Sequence, residues 1–256
     1  MVFQIILFVI NICLMQKLTR LLFLFSIFGA SSVKAAVSEE FVNTLLQRIN
    51  LIYTPIAAAN GGGFFLYNDW QYTQPVCMAS RFGKDFVISV YGGLARKENT
   101  TGDSLSAVIC HELGHHFGGS PKKTNPNVKW SSSEGQADYY STLDCLPKLF
   151  AQDNNIEIIK GLNPNPFVIE QCQKTFPESN ERTAICIRTL SAVEIVTNQY
   201  LETTGPFGYK LNFETPDLSS VETTNYDLYP GTQCRMDTLF NGAVGKVRPT
   251  CWFKNE

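Results

Sequence analysis

Apolar residues along this chain recur at helical and strand spacings by turns. Between Glu39 and Tyr53 they fall at Phe41, Leu45, Ile49 and Ile52, one stripe of an amphipathic helix. Asn60-Gly61-Gly62-Gly63 breaks it. From Phe64 to Val90, aromatic and β-branched residues separated by turn residues predict short strands. The clearest runs from Asp85 to Tyr91 and is closed by Gly92-Gly93. Next, Leu105, Val108, Ile109, Leu113 and Phe117 cover most of a helix circumference, the pattern of a buried helix. Asp103 is its expected N-cap, and Gly118-Gly119 ends it.

A loop with Pro121 and Pro126 leads to Ser133, the expected cap of a helix from Glu134 to about Phe150. Tyr139, Leu143, Leu146 and Phe150 make its apolar stripe; Glu134, Asp138, Ser141 and Cys145 lie on another face. Pro147 should kink its last turn. Residues 151–183 are polar and rich in Asn and Pro, and read as a surface excursion. Ala184–Leu201 reads as a helix, and the tail mixes turns with a short helix near Arg235 to Phe240. The expected class is α+β. A small antiparallel or mixed sheet would pack on the helix around residue 110 and on the helix that begins at Glu134. Residues 36–256 make one domain.

The first 35 residues are different material. Two apolar runs are divided by Lys17 and Arg20, and Ser31-Ser32-Val33-Lys34-Ala35-Ala36 follows. Counted from Met15, this is the layout of a cleaved secretory signal, with Met15 as a possible true start or Met1 opening a longer version. The rival is a retained membrane anchor, although each run is shorter than the ~18 residues of a spanning helix. A cleaved signal places the chain in the periplasm or outside the cell, with no stable membrane span left.

Composition narrows the classes without choosing one. The 256 residues are 44% hydrophobic and 17% charged with net charge −2, a globular balance that argues against a nucleic-acid partner. Seven cysteines follow the signal: Cys77, Cys110, Cys145, Cys172, Cys186, Cys234 and Cys251. That number suits an oxidising compartment and leaves an odd thiol. Cys172 with Cys186 and Cys234 with Cys251 are expected pairs, because each closes a short polar loop.

The chemistry concentrates in Cys110-His111-Glu112-Leu113-Gly114-His115-His116, which holds all 3 histidines of the chain. On a helix, His111 and His115 stand one turn apart on the same face, able to hold one zinc ion. His116 is turned about 100° away and should not reach that ion; it is expected to be a surface or second-shell histidine. Glu112 is the expected catalytic base, taking a proton from water and passing it to a leaving amine. A hydrolytic zinc needs a third protein ligand. Glu134 is the best candidate, with Asp138 four residues on to receive the spare N–H of a ligand histidine. The plainer alternative makes Glu134 a first-turn glutamate favoured by the helix dipole.

These segments resemble a family. Asp85–Leu94, Leu105–His116 with its HELGH, and Glu134-Gly-Gln-Ala-Asp138 are similar to the gluzincin metallopeptidases of the HtpX and CAAX-prenyl-protease type, which include BepA-like periplasmic proteases. The likeness covers about residues 77–145, with a weaker echo at Tyr229-Pro230 and Arg235. It implies a zincin-like fold, zinc on His111, His115 and Glu134, Glu112 as base, and a substrate strand laid along an edge strand near Phe86, Val87, Ile88, Ser89, Val90 and Tyr91. The sequence departs from the pattern where Met78-Ala79-Ser80 replaces Asn-Ala-Phe and where Tyr229 replaces a histidine. Tyr139, Tyr140, Tyr229 and Arg235 are candidate oxyanion stabilisers, and the loop from Gly118 to Ser133 is a candidate gate. The expected activity is an exported zinc endopeptidase acting on protein or peptide. The alternatives are a metal-binding envelope-assembly factor that seldom cleaves and a zinc amidase of non-protein substrates.

Overall fold

The computed structural model describes residues 37–204 and 211–254, with side chains up to 200 and from 211. The expected signal segment therefore lies outside the described residues. Helix α1 (Glu39–Ala59) is capped by Ser38, whose Oγ accepts the Phe41 N–H at 3.1 Å. Three strands follow: β1 (Phe64–Asp69), β2 (Cys77–Phe82) and β3 (Asp85–Tyr91). A single turn α2 (Gly92–Ala95) leads to α3 (Gly102–Phe117). Beyond the loop come α4 (Glu134–Tyr140), a π-helical turn (Ser141–Cys145) and α5 (Leu146–Phe150). The remaining helices are α6 (Asn155–Lys160), α7 (Pro166–Thr175), α8 (Asn180–Thr204) and α9 (Thr232–Ala243). The class is α+β with a small mixed sheet.

The strand order is β1-β3-β2. β2 and β3 form an antiparallel hairpin that turns at Gly83-Lys84, with Gly83 at φ 60°, a left-handed conformation that glycine adopts without steric cost. β1 lies parallel on the other side of β3. The segment Phe86–Tyr91, expected at an edge, is thus the middle strand, hydrogen-bonded on both sides. It has no free edge to offer a substrate. The run of β-branched residues that marks a strand is commonest where both neighbours are present, so its strength signals the centre. The edge nearest the histidine helix is β2.

Phe86, Ile88 and Val90 alternate inward and meet α1 and α3 in the main core with Ile49, Tyr53, Leu105, Ile109 and Leu113. Helix α3 is buried on nearly all sides, as its sequence requires. Its N-cap is Thr101, not Asp103: Thr101 Oγ1 accepts the Ser104 N–H at 3.1 Å, and Ser104 Oγ accepts the Thr101 N–H at 2.9 Å. Asp103 is drawn instead to Arg188, which donates to it through Nε and Nη2 at 2.9 and 2.7 Å. Residues 151–183, expected as a surface excursion, are mostly exposed or half-buried and carry two helices. These, α6 and α7, pack on α8 around a second core of Val168, Cys172, Ile187, Leu190 and Leu239.

Disulfides join Cys110 to Cys145, Cys172 to Cys186, and Cys234 to Cys251; Cys77 is the free cysteine among the described residues. The last two pairs match the sequence expectation. The first ties α3 to the π-helical turn, a long-range link with no local signature. No helix among the described residues is long and apolar enough to cross a membrane.

Candidate metal centre

Helix α3 brings His111 and His115 side by side, ring centres 4.8 Å apart, both buried. Helix α4 crosses α3 closely, because a side-chain carbon on Gly114 would stand 2.6 Å from Ala137 O and 2.7 Å from its Cα. Only glycine allows that approach, and it delivers Glu134 to the histidines. Glu134 Oε2 stands 3.2 Å from His111 Nε2 and 3.6 Å from His115 Nε2. Ligands held 2.0–2.1 Å from a tetrahedral zinc are ~3.3 Å from one another, so these separations suit one ion between the three atoms.

The outer nitrogens are already committed. His111 Nδ1 donates to Asp138 Oδ1 at 2.7 Å, and His115 Nδ1 donates to Ser132 O at 2.9 Å. Both hydrogen bonds keep a proton on Nδ1, so that Nε2 is the nitrogen each ring would turn to a metal. Asp138 is itself clamped by Arg235, through Nε to Oδ2 at 2.7 Å and Nη2 to Oδ1 at 2.8 Å. Glu134 Oε1 accepts a hydrogen bond from Lys123 Nζ at 2.7 Å, while Oε2 is buried and has no hydrogen-bond partner. A buried carboxylate oxygen without a partner is costly. A cation bound by Oε2 and two imidazoles removes that cost, so the donor set fits a divalent metal.

Two carboxylates compete for the ligand role, since Glu112 also lies within 4.8 Å of both histidines. Their hydrogen bonds separate them. Glu112 Oε2 accepts the Ala79 N–H of strand β2 at 2.7 Å, which ties it to the sheet edge beside the centre. Burial pushes Glu112 up to about 7, partly offset by His111 and the Ala79 N–H. Burial also disfavours charge on Glu134, but its contacts with His111, His115 and Lys123 outweigh it and hold this carboxyl well below the usual range. Glu134 is thus the more readily ionised of the two carboxyls, and Glu112 the one held up towards neutrality. Burial lowers His115 to about 4, so it is neutral and able to bind a metal. Burial opposes charge on His111 as well, yet Asp138 and Glu134 raise it well above the ordinary histidine value.

His116 points away from the centre. It is buried, not at the surface: Nε2 donates to Val87 O at 3.1 Å and the ring stacks on Trp130 at 4.9 Å. Among the oxyanion candidates, Tyr139 donates to Lys246 O and Tyr140 pairs with Tyr53 at 3.2 Å. Arg235 is engaged by Asp138. Tyr229 remains, lining a cavity of about 610 Å³ together with His111, Glu112, Val76, Val108 and Tyr200. Sequence reasoning missed Tyr200, Lys123 and the Ala79 N–H. None carries a motif, since each reaches the site only through the packing of separate segments.

No family model matches this chain, and neither the curated proteins nor the solved structures provide a match.

Proposed function

We propose that this chain is a zinc-dependent peptidase that hydrolyses protein or peptide bonds in an oxidising, extracytoplasmic compartment, with a zincin-like active site of the gluzincin kind. The observation that carries the reading is the buried Oε2 of Glu134, which accepts no hydrogen bond and faces two imidazole Nε2 atoms at 3.2 and 3.6 Å, their outer nitrogens already hydrogen-bonded. His111, His115 and Glu134 would hold the ion. A zinc ion held there supplies a Lewis acid to polarise the scissile carbonyl and acidify water.

The chain's own residues supply the rest. Glu112, anchored through one oxygen to Ala79, uses the other to take the proton of the attacking water and hand it to the leaving amine. Asp138 and Arg235 keep His111 in one tautomer throughout. β2 is an edge strand that runs past Glu112; apart from the Ala79 N–H, which Glu112 takes, its main chain is open to an extended peptide, while the cavity beside it has apolar walls for a bulky side chain. The three disulfides suit an oxidising compartment.

The test is the Glu112→Gln variant of the mature protein, assayed for zinc content and for degradation of an unfolded protein. Zinc should remain at one ion per chain with hydrolysis abolished. Undiminished turnover would remove Glu112 from the mechanism, and a wild-type protein that takes up no zinc would remove the reading. Peptidoglycan offered beside the protein substrate separates a peptidase from an amidase.

A further inference from the structure

Lys123 lies on the loop between α3 and α4, outside every motif, yet it touches the metal centre. Its Nζ donates to Glu134 Oε1 at 2.7 Å, where its side chain is 20% exposed and the carboxylate 3%. The loop is built to hold it there. Lys122 and Ser132 form an antiparallel bridge, Lys123 N donates to Ser131 O at 2.9 Å, and Ser133 N donates to Pro121 O at 2.9 Å. Ser132, on the opposite side of this narrow ladder, offers the carbonyl that orients His115. One short ladder therefore reaches two of the three ligand side chains.

We infer that Lys123 is a positioning residue of the metal centre, which occupies Oε1 of Glu134 so that Oε2 alone is presented to the ion. The inference rests on the metal-centre reading above. A carboxylate can bind through one oxygen or two, and a second bound oxygen would take the position that water needs. With an ammonium on Oε1 the choice is made by the protein. The cationic side chain also repels a divalent ion. Its charge is balanced by the carboxylate it pairs with, however, and removing it strands a second buried oxygen. Orientation therefore outweighs repulsion.

The experiment uses zinc alone, titrated by chelator competition into the full mature chain, with cobalt substitution to read coordination. Lys123→Met should bind zinc ~10–100-fold more weakly, the loss usual for a partner of a metal-binding side chain. Its cobalt spectrum should lose intensity as a second carboxylate oxygen enters. With metal saturating, kcat should fall and KM stay level. Lys123→Arg, which keeps a cationic donor, should recover most of the affinity and the wild-type spectrum. Lys123→Gln, whose shorter arm falls short of Oε1, is the second truncation should the Met variant fail to fold, and should behave like it. A truncation with wild-type affinity and an unchanged cobalt spectrum overturns the role of Lys123 while leaving the metal centre standing. If wild type and His111→Ala bind zinc equally poorly, both fall together.

Discussion

Arg235 grips Asp138 with two hydrogen bonds, at 2.7 and 2.8 Å, in a place where both side chains are nearly inaccessible to water. The same Asp138 carboxylate holds His111 Nδ1 at 2.7 Å. The guanidinium lies over the rings of Tyr200 and Tyr229, at 4.1 and 4.9 Å from their centres. The chain of contacts runs from helix α9 to His111, so α9 is part of the candidate metal centre.

Breaking that pair should be costly, because a buried carboxylate left without its cation destabilises a fold by about 3–5 kcal/mol. Arg235→Met should lower unfolding stability by that order in urea titrations and weaken zinc binding as His111 loses its fixed orientation. A variant as stable as wild type would mean that the pair contributes little.

Gly114 sets the distance between α3 and α4. Gly114→Ala forces a methyl group against the Ala137 backbone, and overpacking of this kind costs about 1–3 kcal/mol. The helices can relieve it only by separating, which carries Glu134 away from the imidazoles. Zinc affinity should fall more than thermal stability alone explains. Normal affinity would show that the crossing has slack.

The Cys110–Cys145 disulfide closes a separation of 35 residues and lies directly before His111. By chain-entropy reasoning a link of this length contributes roughly 3–4 kcal/mol. The double variant Cys110→Ala, Cys145→Ala should lose that stability and bind zinc less tightly. The same change at Cys172 and Cys186 should leave zinc affinity intact, since that bridge joins α7 to α8.

Under the proposed function, acid should switch hydrolysis off through Glu112. A base works as the carboxylate, so its activity is present above its pKa and lost below it. Burial, opposed by His111 and Ala79, places Glu112 at about 7 without a metal, and a nearby cation lowers it further. The acid limb of kcat/KM should therefore have its midpoint below about 7. A rate that rises as pH falls through this range would remove the assignment.

The sequence alone determined the local elements and the chemistry that one element can hold. HELGH on a helical pattern places His111, Glu112 and His115 together because four residues make about one turn. The Glu134 and Asp138 spacing on α4 was legible for the same reason. Tertiary structure decided that Glu134 joins Glu112 beside the histidines, that Phe86–Tyr91 is the middle strand, that Arg235 pairs with Asp138, and that Lys123 reaches Glu134. Each depends on segments far apart in the chain meeting at short range. Periodicity reports only which face of an element is buried. What lies against that face is settled by packing, through contacts such as Gly114 on Ala137 that no local pattern encodes.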